Sequence, residues 1–372
     1  MGSASVGQKS RDILSRIWQV EGEELPKGAW LWWFWIFFIH GEDTEKTGKC
    51  RQLMILWSVK NDPQIDCNGL DIRVQKQISA QGAGKWALDG AAAAWYFDGE
   101  RMRENFVLER SRMELDSQKK SLVAPGKTPT EFCEKNGEYV TKIESGGIKF
   151  EFRAAQSDMH PAVGPNYGDS LLPFGMRVEG TRIEVMTLYG TEEDGKGKRA
   201  ITGTAYFQKI LLATPPPQWY WGIYHFQDGS FFTFMQPYVG RATLAGNFTK
   251  EPKLKKPAAS ANADACFYHA PTGRVFQTSK VEVTPEKIGG ELWRHAIKAK
   301  GRGFSLSATA EAYSHACWKF TKRIGTLSHK SKFYYNEYPA VMKKLALKLE
   351  AGEELVYESG IGNMENSWGF LL

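Results

Sequence analysis

Trp219-Tyr220-Trp221-Gly222-Ile223-Tyr224-His225-Phe226, then Gln227-Asp228-Gly229-Ser230, then Phe231-Phe232-Thr233-Phe234-Met235, is the stretch on which the fold turns. Two aromatic-rich runs flank an Asp-Gly turn, the pattern of an antiparallel hairpin. An earlier stretch repeats the order. Trp33-Phe34-Trp35 opens an apolar strand, Gly41 sits in a turn, and Leu53 to Trp57 returns. The two halves also close alike, on Gly203-Thr204-Ala205-Tyr206-Phe207-Gln208 and on Gly360-Ile361-Gly362-Asn363-Met364-Glu365-Asn366. The repeat implies two copies of one barrel unit in tandem.

Outward from these segments, short apolar or alternating runs recur along the chain. Asp89-Gly90, Asp98-Gly99, Asn136-Gly137, Gly146-Gly147, Asp228-Gly229 and Gly289-Gly290 separate them. Many short strands between turn signals predict an all-β protein of antiparallel barrels or sandwiches. Helical composition is confined to a turn around Arg11 to Val20 and to Val341–Glu353. Pro215-Pro216-Pro217 cannot lie inside a central strand and reads as a connector. The expected division is an N-terminal extension over 1–28 and barrels over 29–214 and 218–372.

Composition narrows the function classes. The 372 residues are 42% hydrophobic and 24% charged, which excludes global disorder. Aromatic residues make up 13%, including 13 Trp, enough to fill a core and still line a pocket. The net charge of +6 is mild, and the basic clusters are short: Lys196, Lys198 and Arg199; Lys253, Lys255 and Lys256; Lys343 and Lys344. No nucleic-acid stripe is present; these clusters read as solvated loops, or as a weak attraction to an anionic membrane surface. Ala29 to Ile39 is apolar for eleven residues, short of the roughly 20 that a spanning helix needs. With no secretion signal, Asn247-Phe248-Thr249 carries little weight as a glycosylation sequon. Cys50, Cys67, Cys133, Cys266 and Cys317 form no CxxC pair and read as reduced thiols of a cytoplasmic protein.

Catalytic signatures of the common kinds are missing: no GxSxG elbow, Walker loop or HExxH occurs. Seven scattered His residues have no metal-ligand spacing, and neither metal nor cofactor is expected. Polar groups near the Trp clusters remain. A carboxylic acid buried beside apolar rings keeps its proton near neutrality. It can protonate a carbon–carbon double bond, and Trp and Tyr faces stabilise the resulting carbocation. Asp98, Asp158, Tyr206, His225 and Glu365 are the catalytic candidates. Trp33, Trp35, Tyr96, Tyr167, Gln208, Trp219, Trp221 and Tyr224 are the candidates for holding a hydrophobic small molecule. For each there is a plainer role: Asp98 and Asp228 precede Gly in turns, and core packing is the plainer role of the indoles, Trp33 and Trp35 sharing one face of their strand as Trp219 and Trp221 share one of theirs.

The segments at 203–208 and 219–230, the Trp33/Trp35 strand, the Pro165-Asn166-Tyr167 loop and the closing residues 362–369 together resemble the carotenoid 1,2-hydratase and AttH-like family of two-domain lipocalin-like proteins. The resemblance covers residues 29 to 372. It implies two calycin-type barrels, apolar polyene or polyketide-like ligands, and chemistry without metal or redox cofactor. Relatives of this architecture include tocopherol-cyclase-like proteins and decalin-forming Diels–Alderases. By position, Tyr206 matches the family's strand aromatic, and Trp219 and Trp221 its pocket tryptophans. Gln208 stands where the hydratase-like pattern has an acid. An amide cannot protonate an alkene, so the expectation divides. Asp98, Asp158 or Glu365 supplies the proton for hydration or cyclisation; or the protein orders its substrate by shape, as a Diels–Alderase does; or it is a carrier.

Overall fold

The computed structural model describes residues 11–22, 24–42, 44–62, 65–72, 78–156, 165–172, 176–213, 218–238, 263–323 and 330–370. The expectations for Asp158, the three prolines, the Asn247 sequon and the Lys253, Lys255 and Lys256 cluster lie outside those residues. Two compact units are present. The first takes the described residues of Met1–His40, Gln52–Tyr96 and Arg103–Pro215; the second takes those of Gly41–Arg51, Phe97–Met102 and Pro216–Leu372.

The strands up to residue 213 are β1 (Trp30–Ile39), β2 (Arg51–Lys60), β3 (Ile65–Cys67), β4 (Leu70–Asp71), β5 (Ile78–Gly82), β6 (Lys85–Phe97), β7 (Met102–Asp116), β8 (Ser121–Ala124), β9 (Thr130–Lys135), β10 (Glu138–Ser145), β11 (Ile148–Ala155), β12 (Asn166–Leu172), β13 (Met176–Asp194) and β14 (Gly197–Ala213). Ten of them form an antiparallel ring in the order β11-β10-β9-β8-β7-β6-β2-β1-β14-β13, which β13 closes by pairing back onto β11. Asn136 and Gly137, at φ 55° and 82°, make the two-residue loop between Lys135 and Glu138. Positive φ at both loop residues is what a tight hairpin turn of this hand demands.

Leu31, Trp33, Trp35, Phe37 and Ile39 of β1 point into the ring and join one core with Trp57, Phe132 and Phe207. Phe34, Ile36 and Phe38 on the opposite face are also fully buried. Burial on both faces explains why β1 reads as an unbroken apolar run and not as an alternation. Strands β7, β9 and β10 lack an apolar run and escape a hydrophobicity scan. Their alternate charged side chains stay partly exposed and pair across strands, as Lys142 does with Glu131 at 3.2 Å.

After residue 217 come β15 (Gln218–His225), β16 (Phe231–Tyr238), β17 (Asp264–His269), β18 (Arg274–Thr278), β19 (Val281–Gly289), β20 (Leu292–Gly301), β21 (Phe304–Ala312), β22 (Ala316–Arg323), β23 (Lys330–Leu349), β24 (Glu354–Tyr357) and β25 (Gly360–Phe370). Nine of these follow the order β18-β17-β16-β15-β25-β23-β21-β20-β19. Every one of the nine contributes to a single core that includes Tyr220, Phe234, Phe267, Phe276, Val283, Ile297, Leu306, Met342 and Met364, so the sheet curls around it as a second barrel. The Val283 N–H donates to Gln236 Oε1 at 2.8 Å, tying β19 to β16 across the curl.

One helical expectation is corrected. Val341–Glu353 is not helix; most of it is the C-terminal part of the long strand β23. A bulge opposite Thr309 and Ala310 inserts Lys343 as an extra residue, so Lys343 and Lys344 both face outward between inward Met342 and inward Leu345. That break in alternation is what imitates a helical period in the sequence.

Candidate functional site

In both units the first Trp-rich strand pairs antiparallel with the closing strand. Trp35 sits opposite Phe207 in β14, and Trp221 sits opposite Glu365 in β25. The faces are reversed. Trp33 and Trp35 point into the first barrel, whereas in β15 the inward residues are Tyr220 and Tyr224. Strand alternation places Trp219, Trp221, Ile223 and His225 on the outer face of β15. All four are buried.

On this outer face three neighbouring strands converge. Glu365 of β25 lies between Trp221 of β15 and Glu337 of β23, each its direct cross-strand partner. Side chains so paired have Cβ atoms roughly 5 Å apart. Trp219 Nε1 donates to Glu365 Oε2 at 2.5 Å, and the Tyr335 hydroxyl donates to Glu365 Oε1 at 2.9 Å. Rings close over the pair: Trp219 lies 5.6 Å from Phe333 and 5.9 Å from Tyr335, and Trp318 stacks on Tyr335 at 6.1 Å. Glu337 is 1% exposed and Glu365 3%.

Two carboxyl groups this close and this dry do not both ionise unless a cation lies beside them. Their partners divide the roles. Both oxygens of Glu365 accept hydrogen bonds, which favours its charged form. Glu337 has its pKa raised well above the usual carboxylate range, first by burial and then by the charge of Glu365. Interactions with the Tyr335 and Asn363 side chains pull the other way and only partly offset that rise.

Of the residues singled out in the sequence, Trp219, Trp221 and Glu365 meet here, and His225 shares their face. Glu337 and Tyr335 went unnoticed because their strand looks like any aromatic strand, and nothing local reveals that it lies beside β25. Trp33 is fixed in the first barrel by donating Nε1 to the Ile17 carbonyl at 2.8 Å. Trp35 is enclosed by Phe37, Phe132, Tyr139 and Phe207, with ring centroids 4.8–5.8 Å away. The Tyr96 hydroxyl donates to Glu192, itself paired with Arg199 at 2.6 Å. Tyr167 lies under the Arg16 guanidinium at 4.2 Å. Tyr206 donates to Gln208 Oε1 at 3.0 Å, within a buried face of β14. Asp98 Oδ1 accepts the Glu100 and Arg101 N–H groups, and Asp228 Oδ1 accepts that of Ser230, so both carboxylates hold turns.

Fold and face together define an all-β, tandem-barrel protein with a buried carboxyl pair among aromatic rings. No family profile and no curated sequence matches the chain. Solved structures do. A protein provisionally described as AttH, from Nitrosomonas europaea, is 12% identical at a TM-score of 0.51, over 95% of this chain and 99% of that one. CghA in complex with Sch210972 is 10% identical at 0.52, over 92% of this chain and 89% of that one. At such identities the likeness is one of fold, and the fold is the lipocalin-like one that the sequence resemblance implies. Among the described residues, no helix is long and apolar enough to cross a membrane.

Proposed function

We propose that this chain is a cofactor-independent enzyme that acts on an apolar isoprenoid or polyene-type substrate by protonating a carbon–carbon double bond. The observation that carries the reading is the Glu337–Glu365 pair: one carboxyl kept protonated by burial and by its neighbour, under Trp and Tyr rings. Glu337 is the acid. Its proton moves to one alkene carbon, the π pair forms the new C–H bond, and the adjacent carbon becomes a cation. Trp219, Trp221 and Tyr335 offer ring faces to that cation, and the Glu365 carboxylate offers a full negative charge. Water then attacks the cation and loses a proton to the Glu337 carboxylate, which gives an alcohol and restores the acid. Attack by a second double bond, followed by loss of a proton, gives a ring instead.

This assignment moves the proton donor from Asp98, Asp158 and Glu365, the sequence candidates, to the cross-strand neighbour of Glu365. It also removes the difficulty at Gln208, because the acid need not lie on β14. The test is turnover of a polyene in D2O, followed by mass spectrometry. One solvent deuterium bound to carbon in each product molecule is expected. Glu337→Gln should lower kcat by about 100-fold or more, the usual range for a lost general acid. A cyclised product without deuterium would point to ordering of the substrate by shape, and ligand recovered unchanged would point to a carrier. Either result defeats the proposal.

A further inference from the structure

The outer wall of the second barrel carries a polar feature that the carboxyl pair does not use. Ala299, Leu306 and Leu347 point into the core, so alternation turns Lys298, Lys300, Ser305, Ser307, Ala346 and Lys348 outward. Their register makes a trough. Ser305 and Ser307 of β21 form its floor with Ala346 of β23. Lys298 and Lys300 of β20 stand opposite the two serines on one side, and Lys348 stands opposite Ser305 on the other. These walls are two strand spacings apart, about 10 Å, and bound an open space of about 500 Å³. Lys348 lies roughly 30 Å along β23 from Glu337 at the rise of an extended strand.

The charge in this trough is unbalanced. The Lys300 N–H donates to the Lys280 carbonyl at 3.0 Å, which sets these two lysines side by side at the end of the β19–β20 ladder. Like charges so placed repel. Among the described residues, no carboxylate comes within ion-pair distance of Lys280, Lys298 or Lys300. Glu282 is the one carboxylate among the lining residues, and Lys348 meets Glu354 at 3.6 Å. Farther along the same outer face the cations are matched. Arg294 lies between Glu286 at 2.9 Å and Glu311 at 2.7 Å, and Lys343 meets Glu311 at 3.9 Å. A face that balances its charges in one stretch, and gathers lysines around two small hydroxyl-bearing residues in the next, is complementary to an anion. The hydroxyls can donate from below and the ammonium groups from the sides. A flat bilayer would rest on the lysine rims without reaching the serines, whereas a small group can enter. A lone carboxylate would leave most of these donors unmet.

We propose that this trough binds the diphosphate group of a small molecule, with Ser305 and Ser307 beneath it and Lys280, Lys298, Lys300 and Lys348 around it. The site does not depend on the reaction assigned to Glu337.

The test is calorimetric titration of the full-length protein with inorganic pyrophosphate, in a phosphate-free buffer of low salt, with sulfate as the comparison anion. One saturable site is expected, at least tenfold tighter for pyrophosphate than for sulfate. Lys300→Gln should weaken it at least fivefold, and so should Ser305→Leu, which fills the floor without changing the charge. Lys343→Gln removes the same charge from the same face outside the trough and should leave binding unchanged. All three positions are exposed, so the substitutions spare the core. No saturable binding, equal affinity for sulfate, or equal losses in Lys300→Gln and Lys343→Gln would each overturn the proposal. Tight binding to phosphatidylglycerol vesicles that pyrophosphate does not displace would assign the face to a membrane and overturn it as well. If a variant does not fold, the comparison of pyrophosphate with sulfate on the native protein still decides.

Discussion

Two buried titratable side chains of the second unit push stability in opposite directions with pH. Glu337 binds its proton more tightly in the folded chain than in the unfolded one. Its contribution is therefore complete below the ordinary glutamate value of 4.5 and is lost as pH rises toward the raised value. His295 is the reverse. Its folded value, about 3, lies below the ordinary histidine value of 6.5, so its contribution is complete above pH 6.5 and is lost as pH falls toward 3. Urea titrations from pH 4 to 8 should show both effects. Glu337→Gln should flatten the decline of stability above pH 4.5, and His295→Phe should flatten the decline below pH 6.5. If each variant keeps the slope of the native protein, these two groups are not the ones titrating.

Among the strands, β25 matters most, because it alone pairs with both β15 and β23 and so sets Glu365 between Trp221 and Glu337. Its seating needs Gly362. A Cβ there would come 2.5 Å from the Ile223 carbonyl oxygen and 2.1 Å from the Tyr224 ring. Backbone cannot yield as a flexible side chain can, so Gly362→Ala should destabilise the fold by about 1–3 kcal/mol, the usual range for overpacking. Gly168 in β12 has open space where a Cβ would go and serves as the control, with little change expected for Gly168→Ala. Thermal melts of the two variants provide the comparison. Equal melting temperatures would mean that β25 is less closely held than its register indicates.

At the scale of the whole chain, stability comes from two cores and not from covalent cross-links. All five cysteines are free, and Cys50, Cys67 and Cys133 are buried. A chain of this length buries enough apolar surface to fold without disulfides. Dithiothreitol should leave the melting temperature unchanged. In the native protein at pH 8, Cys133 should stay silent to a thiol reagent, since burial, with Glu131 nearby, pushes its thiol up to about 11. Rapid labelling of Cys133 without unfolding would contradict the burial described for β9.

Strand identity and turn position were legible in the linear chain because both are local. Period-two patterning, aromatic runs and Asn-Gly or Asp-Gly pairs act within a few residues, and the hairpins at Asn136-Gly137 and Asp228-Gly229 follow from them. The paired Trp-rich strands likewise announced two barrels. Which way each strand faces was a different matter. Alternation says that Trp219 and Trp221 share a side but not which side, and a shift of one residue in register exchanges core for exterior. The bulge at Lys343 hid a strand under a helical pattern for the same reason. The carboxyl pair lay further out of reach still. Glu337 and Glu365 are separated along the chain and become neighbours only when β25 slots between β15 and β23. Their division into acid and charged partner then follows from burial and from which oxygens receive hydrogen bonds, and those are properties of the folded sheet alone.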